Sequence, residues 1–486
     1  MKDPGRIGAV ILAAGRSSRM GRCKALLPLG GESLELNGRG GRNATEALEQ
    51  VDDPGACENP ENPQDRTPHR ALASSPACTA LGWAVRSLRL AGICDLVVVT
   101  GYERALLVPL LEGLCLRGAH NPHYDLGMFS SVQTGVAALS PGLEGAVLLP
   151  VDSPLVRPET LRSLVERSRT DVILHPTCCG RRGHPPLVGA DYFSALLSAP
   201  PTGTLRDFFA QHAEAESEVQ VEDLSILLDM DTPKDFHLVS HLASLAASAW
   251  ARVGLAPAKS AVGSPALAQP DTAGARAADL GPPVKRADDA TLAGGPATSL
   301  DQEDCLTLLK ALGTPPSVIQ HCLVVAQVGR GLAQGVASKV GGIDPDRVAA
   351  ACLLHDMVRS QLSHALLAER LLDNLGLKSL AALVAGHMVL DPDLSLEPGL
   401  TETELVYLAD KVVFEATIVG LDERERRALL KMESSPRDGP EAERRVHERM
   451  AAARRVAAKV EALVGQPLDV SLERIPTRCS THQRFS

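Results

Sequence analysis

Three groups of residues in this chain have types and spacing suited to phosphate and metal chemistry. The first is the run LAAGRSSRMGRCK, Leu12 to Lys24, which closes an apolar β-type stretch. In an open parallel sheet, ligands bind at the carboxyl ends of the strands. Gly15 lets backbone N–H groups come close to a phosphate, and Arg19 and Lys24 neutralise a triphosphate. A glycine turn with surface basic residues is the alternative account. The second group centres on Asp152 in LLPVDSP, at the end of a very apolar run. An ionised carboxylate is costly there without a counter-charge such as Mg²⁺, although a capping Asp at a strand-to-helix turn accounts for it when taken alone. The third group is His321, the adjacent pair His355-Asp356, His364, His387 and Asp410. Imidazole and carboxylate suit a first-row divalent metal that activates water. Such residues serve only if the fold brings them together, and each histidine taken singly is equally a packed or exposed residue.

The elements that must position these groups divide the chain in two. Between residues 6 and 240, β-type runs (IGAVILAA, DLVVVTG, GAVLLPVD, DVILHPT) alternate with amphipathic patterns such as LGWAVRSLRLAG and RPETLRSLVERS. That alternation predicts an α/β domain, a mostly parallel Rossmann-like sheet with helices on both faces. Two biased stretches interrupt the chain. A Gly/Asn/Asp/Glu/Pro-rich insertion covers about 35–80, and an Ala/Pro/Gly-rich linker covers 251–299. From 300 to 470 the pattern is almost wholly helical, an all-α domain, followed by a tail over 471–486. The predicted first domain is 1–250. The charged tract DERERRALLKMESSPRDGPEAERRVHERM reads as a solvated helical surface.

Composition narrows the function. A chain of 486 residues exceeds what one core fills, so two domains are expected. A formal charge of −10 and only 7 Phe, 4 Tyr and 2 Trp exclude nucleic acid as the main partner. The 11 cysteines lack CxxC pairing, the N-terminus has no signal pattern, and no apolar run suggests a membrane span, so a reducing cytoplasm is expected.

The ordered motifs of the first domain resemble the MobA-like nucleotidyltransferases, specifically those of molybdenum cofactor cytidylyltransferase type. They are LAAGRSSRMGRCK, the VVTG strand, NPHYDLGMFSSVQTGVAAL at Asn121 to Leu139, PVDSP, GRRGHPPLV at Gly180 to Val188, and DMDTPKDF at Asp229 to Phe236. The resemblance implies that Leu12, Ala13, Ala14, Gly15, Arg19 and Lys24 hold the nucleotide. It places Lys24, Arg19 and Asp152 at the reacting phosphates and gives Mg²⁺ to Asp152, Asp231 and Asp229. Ser130, Ser131, Arg182, Gly183 and His184 would line the acceptor pocket; for the serines a helix N-cap is an equal account, and for His184 a turn packed beside Pro185. AAG together with RRGHP resembles the cytidylyl branch, so CTP is the implied nucleotide and molybdopterin the acceptor, with pyrophosphate leaving. A recipient molybdoenzyme or its chaperone is the further partner implied. The sequence departs from the pattern at the insertion after LPLGGESL and at Ser153, where the family often carries a larger residue. A sugar or polyol phosphate is the alternative acceptor.

The second domain resembles the HD-domain metal-dependent phosphohydrolases over roughly 301–419. The resemblance implies that His321, His355, Asp356 and Asp410 bind a metal such as Mn²⁺ or Fe²⁺, and His364 and His387 match positions that hold a second metal in some branches. Arg359 stands where many members carry lysine. Hydrolysis of a phosphate ester or anhydride is implied, the alternative being a regulatory module that senses a nucleotide without hydrolysing it.

Overall fold

The computed structural model describes residues 4–30, 76–252, 300–361, 363–388, 390, 399–433 and 440–475. Most of the expected insertion (31–75) and nearly all of the expected linker (253–299) lie outside the described residues.

The N-terminal unit is built from strands β1 (Ile7–Ala13), β2 (Asp95–Thr100), β3 (Arg117–His120), β4 (Gly145–Pro150), β5 (Ile173–Cys178), β6 (Arg181–Arg182), β7 (Leu187–Gly189) and β8 (Glu216–Gln220). Its helices are α1 (Ala80–Leu90), α2 (Arg104–Gly113), α3 (Met128–Ala137), α4 (Pro158–Arg167), α5 (Phe193–Ser198), α6 (Leu205–Gln211) and α7 (Pro233–Arg252). The sheet order is β3-β2-β1-β4-β7-β5-β6, with β8 paired to β5. Strands β3, β2, β1 and β4 run parallel, as the strand–helix alternation predicts, whereas β7 runs antiparallel to both β4 and β5. This antiparallel insert was not legible in the sequence, because three residues of LVG carry no usable period.

Burial on both faces explains the unbroken apolar runs. Along β1, Ile7, Ala9 and Ile11 pack with α1, α2, α4 and α7, while Val10 and Leu12 face a separate core under α3, α5 and α6. Gly135 in α3 lets that helix lie against β1; a Cβ there would sit 2.2 Å from Val10 Cγ1.

The C-terminal unit is helical: α8 (Gln302–Ala311), α9 (Pro316–Ala337), α10 (Pro345–Leu354), α11 (His364–Asn374), α12 (Lys378–Ala385), α13 (Glu402–Lys411), α14 (Leu421–Glu433), α15 (Pro440–Val464) and α16 (Leu468–Glu473). A two-stranded ribbon, β9 (Val413–Phe414) with β10 (Thr417–Ile418), follows α13. Asp344 before Pro345 accepts from two amides of α10, and Thr401 and Glu404 form a capping box on α13. The domain extends beyond the expected boundary at 470, since Leu468, Leu472 and Ile475 are buried. The described parts of the charged tract lie in α14 and α15, which are braced by Arg454 with Asp422 and Glu425, and by His447 with Glu425. None of the helices among the described residues is long and apolar enough to cross a membrane.

The two units share packing. Leu238 and Leu242 of α7 and Leu308 and Leu309 of α8 belong to one continuous buried cluster. Arg181 on β6 donates to the carbonyl oxygens of Lys310 (3.2 Å) and Ala311 at the end of α8. Asn374 donates to the carbonyl of Glu222, and Arg370 pairs with its carboxylate.

Candidate functional sites

The strand order sets Leu12 beside Pro150, so the segments that follow β1 and β4 emerge side by side. The loop after β1 folds on itself. Ser17 adopts φ of 49°, its carbonyl accepts from Met20 and Gly21, and its hydroxyl accepts from the Lys24 amide. A Cβ on Gly15 would meet nothing within 4 Å, so packing does not demand glycine there, and bare backbone is presented to a ligand. Beside it, Gly101 is required, because a Cβ would lie 2.5 Å from the Ala14 carbonyl oxygen.

The loop delivers Lys24 to the carboxylates. Its ammonium lies 3.1 Å from Asp152 and 2.6 Å from Asp231, and Arg19 lies 3.3 Å from Asp231. The Met230 amide donates to the Asp152 carbonyl at 3.0 Å, which fixes the Asp229–Asp231 segment against the end of β4. Partial burial and then the charges of Asp231 and Asp152 push the Asp229 carboxyl up to about 6. Burial opposes the charge on Lys24, but the two carboxylates outweigh it and raise its pKa. Asp152 and Asp231 share the Lys24 ammonium and Asp229 feels the charge of both, so carboxylate oxygens that suit a hard divalent cation such as Mg²⁺ face one another across Lys24, though the three are not drawn within 4.8 Å of one another.

Arg182, Gly183 and His184 line a cleft of about 1180 Å³ that reaches Ser153 and Asp229 beside the carboxylates. Gly183 is sterically required, since a Cβ would sit 2.3 Å from the Ile226 carbonyl, which accepts from the His184 amide. Arg182 is engaged by Glu216 and Glu218 at the rim. The structure does not bring Ser130 and Ser131 to this cleft. Both hydroxyls are buried and receive hydrogen bonds from Asn121, and Ser130 also donates to backbone carbonyls of the preceding turn. They are not N-caps either, since α3 is capped at Gly127 without a side-chain bond. Their service is to tie α3 to the end of β3.

Several participants escaped the sequence reading. Arg16 lies over the rings of Tyr102 and Tyr124 at 5.5 and 5.8 Å, at the mouth of the loop. Ser153 is 1% exposed, and its hydroxyl, on the cleft wall, has no protein partner. Lys310 closes the cleft from α8. Ser153 stood out in the sequence only as a departure from the family pattern, not as a cleft residue; Lys310 has no local signal.

In the helical domain the fold brings every predicted ligand together. His321 comes from the first turns of α9, His355-Asp356 from the end of α10, His387 from just beyond α12, and Asp410 from the last turn of α13. His321 Nε2 and His355 Nε2 lie 3.3 and 3.6 Å from Asp410, and His355 Nε2 lies 3.6 Å from Asp356. On the other side of Asp356, the Nε2 atoms of His364 and His387 lie 3.7 and 3.9 Å away. The donor atoms thus form two triads, His321/His355/Asp410 and Asp356/His364/His387, each gathered within 4.8 Å. The Nδ1 atoms of His321, His355 and His387 face the backbone carbonyls of Glu415, Cys352 and Val384. A carbonyl accepts only, so Nδ1 carries a proton, and in the neutral ring that a metal binds Nε2 is left with its lone pair facing inward.

Nε2 of His355, His364 and His387 is buried without a hydrogen bond, a costly arrangement for a protein but a fitting one for two divalent cations sharing Asp356. Burial would raise the Asp410 carboxyl, but Lys411 and the imidazoles of His321 and His355 hold it well below the usual range. Burial and then the neighbouring His355 keep His387 neutral. Lys411, next to Asp410 in the sequence, was missed as the buried counter-charge, lying also over the Tyr407 ring at 4.7 Å. Arg359 pairs with Asp356 at 2.8 Å, at the site's rim.

The MobA-like NTP transferase family model matches residues 9–36 and 67–219, and the HD domain model matches 318–414. The chain carries a MobA-like NTP transferase domain and an HD domain. A molybdenum cofactor cytidylyltransferase of Escherichia coli (strain K12) is 31% identical over 117 residues, which is 24% of this chain and 58% of that relative. Two solved structures resemble the transferase domain. One is a nucleotidyl transferase from Methanothermobacter thermautotroptrophicus (20% identity, TM-score 0.35, covering 48% of this chain and 95% of that one). The other is the 4-diphosphocytidyl-2C-methyl-D-erythritol synthase from Anaerococcus prevotii (12% identity, TM-score 0.33, covering 49% and 98%). The transferase-domain match ends at residue 219, before the DMD segment, and of its two aspartates Asp231 is tied to the site by its contacts with Lys24 and Arg19. The HD-domain match includes every one of the six HD-site ligands.

Proposed function

We propose that the transferase domain is a Mg²⁺-dependent CTP:molybdopterin cytidylyltransferase that forms molybdopterin cytosine dinucleotide and releases pyrophosphate, in the cytoplasm. The observation that carries this reading is the ammonium of Lys24 held between Asp152 and Asp231 at the end of the β1 loop. Asp152, Asp231 and Asp229 would hold the magnesium, which would neutralise charge on the nucleotide phosphates. Lys24 and Arg19, given up by the carboxylates, would bind the nucleotide phosphates beside the bare backbone of Leu12 to Gly15. Arg182, Gly183 and His184 then border the acceptor, and the unpartnered Ser153 hydroxyl offers it a hydrogen bond. No protein nucleophile is needed, since positioning and charge neutralisation carry phosphoryl transfer. A recipient molybdoenzyme or its chaperone would take up the product.

The HD domain is read as a phosphohydrolase with two metals such as Mn²⁺ or Fe²⁺, His321, His355 and Asp410 holding one, His364 and His387 the other, and Asp356 between them. Bound there, the metals would supply an activated water.

The test is to incubate the full chain with Mg²⁺, molybdopterin and CTP, GTP or ATP separately, and to follow pyrophosphate release. Release with CTP alone supports the reading. Release only when a sugar or polyol phosphate replaces molybdopterin moves the acceptor to that class, and no release with any acceptor sinks the transferase assignment.

A further inference from the structure

A third group of metal-binding side chains lies away from both sites, where the two domains meet. His237 and His241 are four residues apart on α7, which sets both imidazoles on one face of that helix. They face the first turn of α8, where Asp301 and Asp304 stand three residues apart. His237 Nδ1 is 3.1 Å from one Asp304 oxygen, and His241 Nδ1 is 3.3 Å from the other. Hydrogen bonds between charged imidazole and carboxylate run about 2.7–2.9 Å. Ligands about 2.0–2.1 Å from a tetrahedral zinc stand about 3.3–3.4 Å from one another. The 3.1 Å of His237 falls midway between these spacings, and the 3.3 Å of His241 is long for a charged hydrogen bond.

Asp304 is only 2% exposed, so its carboxylate needs a compensating charge, while His237 is 62% exposed and leaves the group open to solution. Asp301 caps α8 by accepting from the Asp304 amide at 2.8 Å, and as a carboxylate it has a second oxygen to give. Donor atoms of His237, Asp301 and Asp304 all lie within 4.8 Å of one another.

We propose that His237, Asp301 and Asp304, with His241 on the second oxygen of Asp304, bind one divalent cation of the Zn²⁺, Co²⁺ or Ni²⁺ class that clips the transferase domain to the HD domain. Mixed imidazole and carboxylate donors suit that class. The clip acts on structure rather than chemistry. It fixes the start of α8, whose far end carries Lys310 into the cleft wall and is itself held by Arg181.

The experiment strips the full-length protein with a chelator, reloads it with Zn²⁺, and counts zinc per chain by mass spectrometry alongside the unfolding temperature. The variants are His237→Ala with His241→Ala and, separately, Asp301→Asn, which keeps a good helix cap. The double variant should bind one zinc fewer than the unaltered protein and lose part of the zinc-dependent rise in unfolding temperature. Asp301→Asn should weaken that one site at least about tenfold. A protein altered instead at Asp356 and His387 should keep the clip zinc. If the double variant fails to fold, zinc titration of Asp301→Asn decides alone. Unchanged zinc binding in the folded clip variants would overturn the proposal and leave a pair of hydrogen bonds.

Discussion

The two predicted metal sites of this chain are built in opposite ways. The HD site sits on helix ends packed into a core; His355 and His387 are each 1% exposed, and three ring nitrogens point inward without partners. The transferase site sits on loops at strand ends, and its carboxylates are already neutralised by the chain's own Lys24 and Arg19. A buried site cannot reorganise cheaply, so its ligands stand ready before the metal arrives. An open site can exchange an internal cation for an external one, so it is completed only when metal and nucleotide enter together. The difference between the sites is one of preorganisation.

The largest effect that could break this comparison is expected at Asp356, the carboxylate facing both triads. Asp356→Ala should remove bound metal from the HD domain and lower hydrolysis of a nitrophenyl phosphate ester by roughly a thousand-fold, while CTP-dependent pyrophosphate release stays intact. A variant that keeps its metal content would show that the triads do not share this residue. Next, Asp152→Ala should lower pyrophosphate release about 100- to 1,000-fold with the circular dichroism spectrum unchanged, since Asp152 lies in a loop rather than a core.

A smaller and sharper contrast is the response to pH. Asp229 takes up a proton near pH 6 in the metal-free protein, and that proton competes with the cation. Magnesium affinity at the transferase site, read by calorimetry, should therefore be greatest above pH 6 and fall up to about tenfold per pH unit below it. Asp229→Asn should flatten that dependence; a steep profile in the variant would assign the proton elsewhere. The smallest effect is expected at Lys310. Lys310→Glu should raise the acceptor KM several-fold, about 1 kcal/mol, with the CTP KM and HD metal content unchanged. A shift in the CTP KM instead would mean that the wall contributed by α8 faces the nucleotide.

Much of this molecule was legible in the chain because its signals are local. The buried strands read as unbroken apolar runs, and the ordered motifs pointed to the β1 loop, to Asp152 and to the six candidate HD-site residues that the fold gathers. The misreadings fell where a tertiary contact decides, even one within a single motif. Ser130 and Ser131 stand in a motif that suggests substrate, yet Asn121, nine and ten residues away, takes both hydroxyls into the interior. The antiparallel β7 is too short to carry a period, and its place is decided by the gap between β4 and β5.

What the sequence determined by itself was therefore composition-level and local: two domains, their classes, the identities of the ligands and the ends of the elements. Only the tertiary structure decided that the HD ligands fall into two triads around Asp356, that Lys24 bridges Asp152 and Asp231, and that α8 closes the transferase cleft and faces His237 and His241 with Asp304. These are meetings between residues up to more than two hundred positions apart. No periodicity or propensity encodes them, because they depend on how packed faces of different elements align once water is excluded.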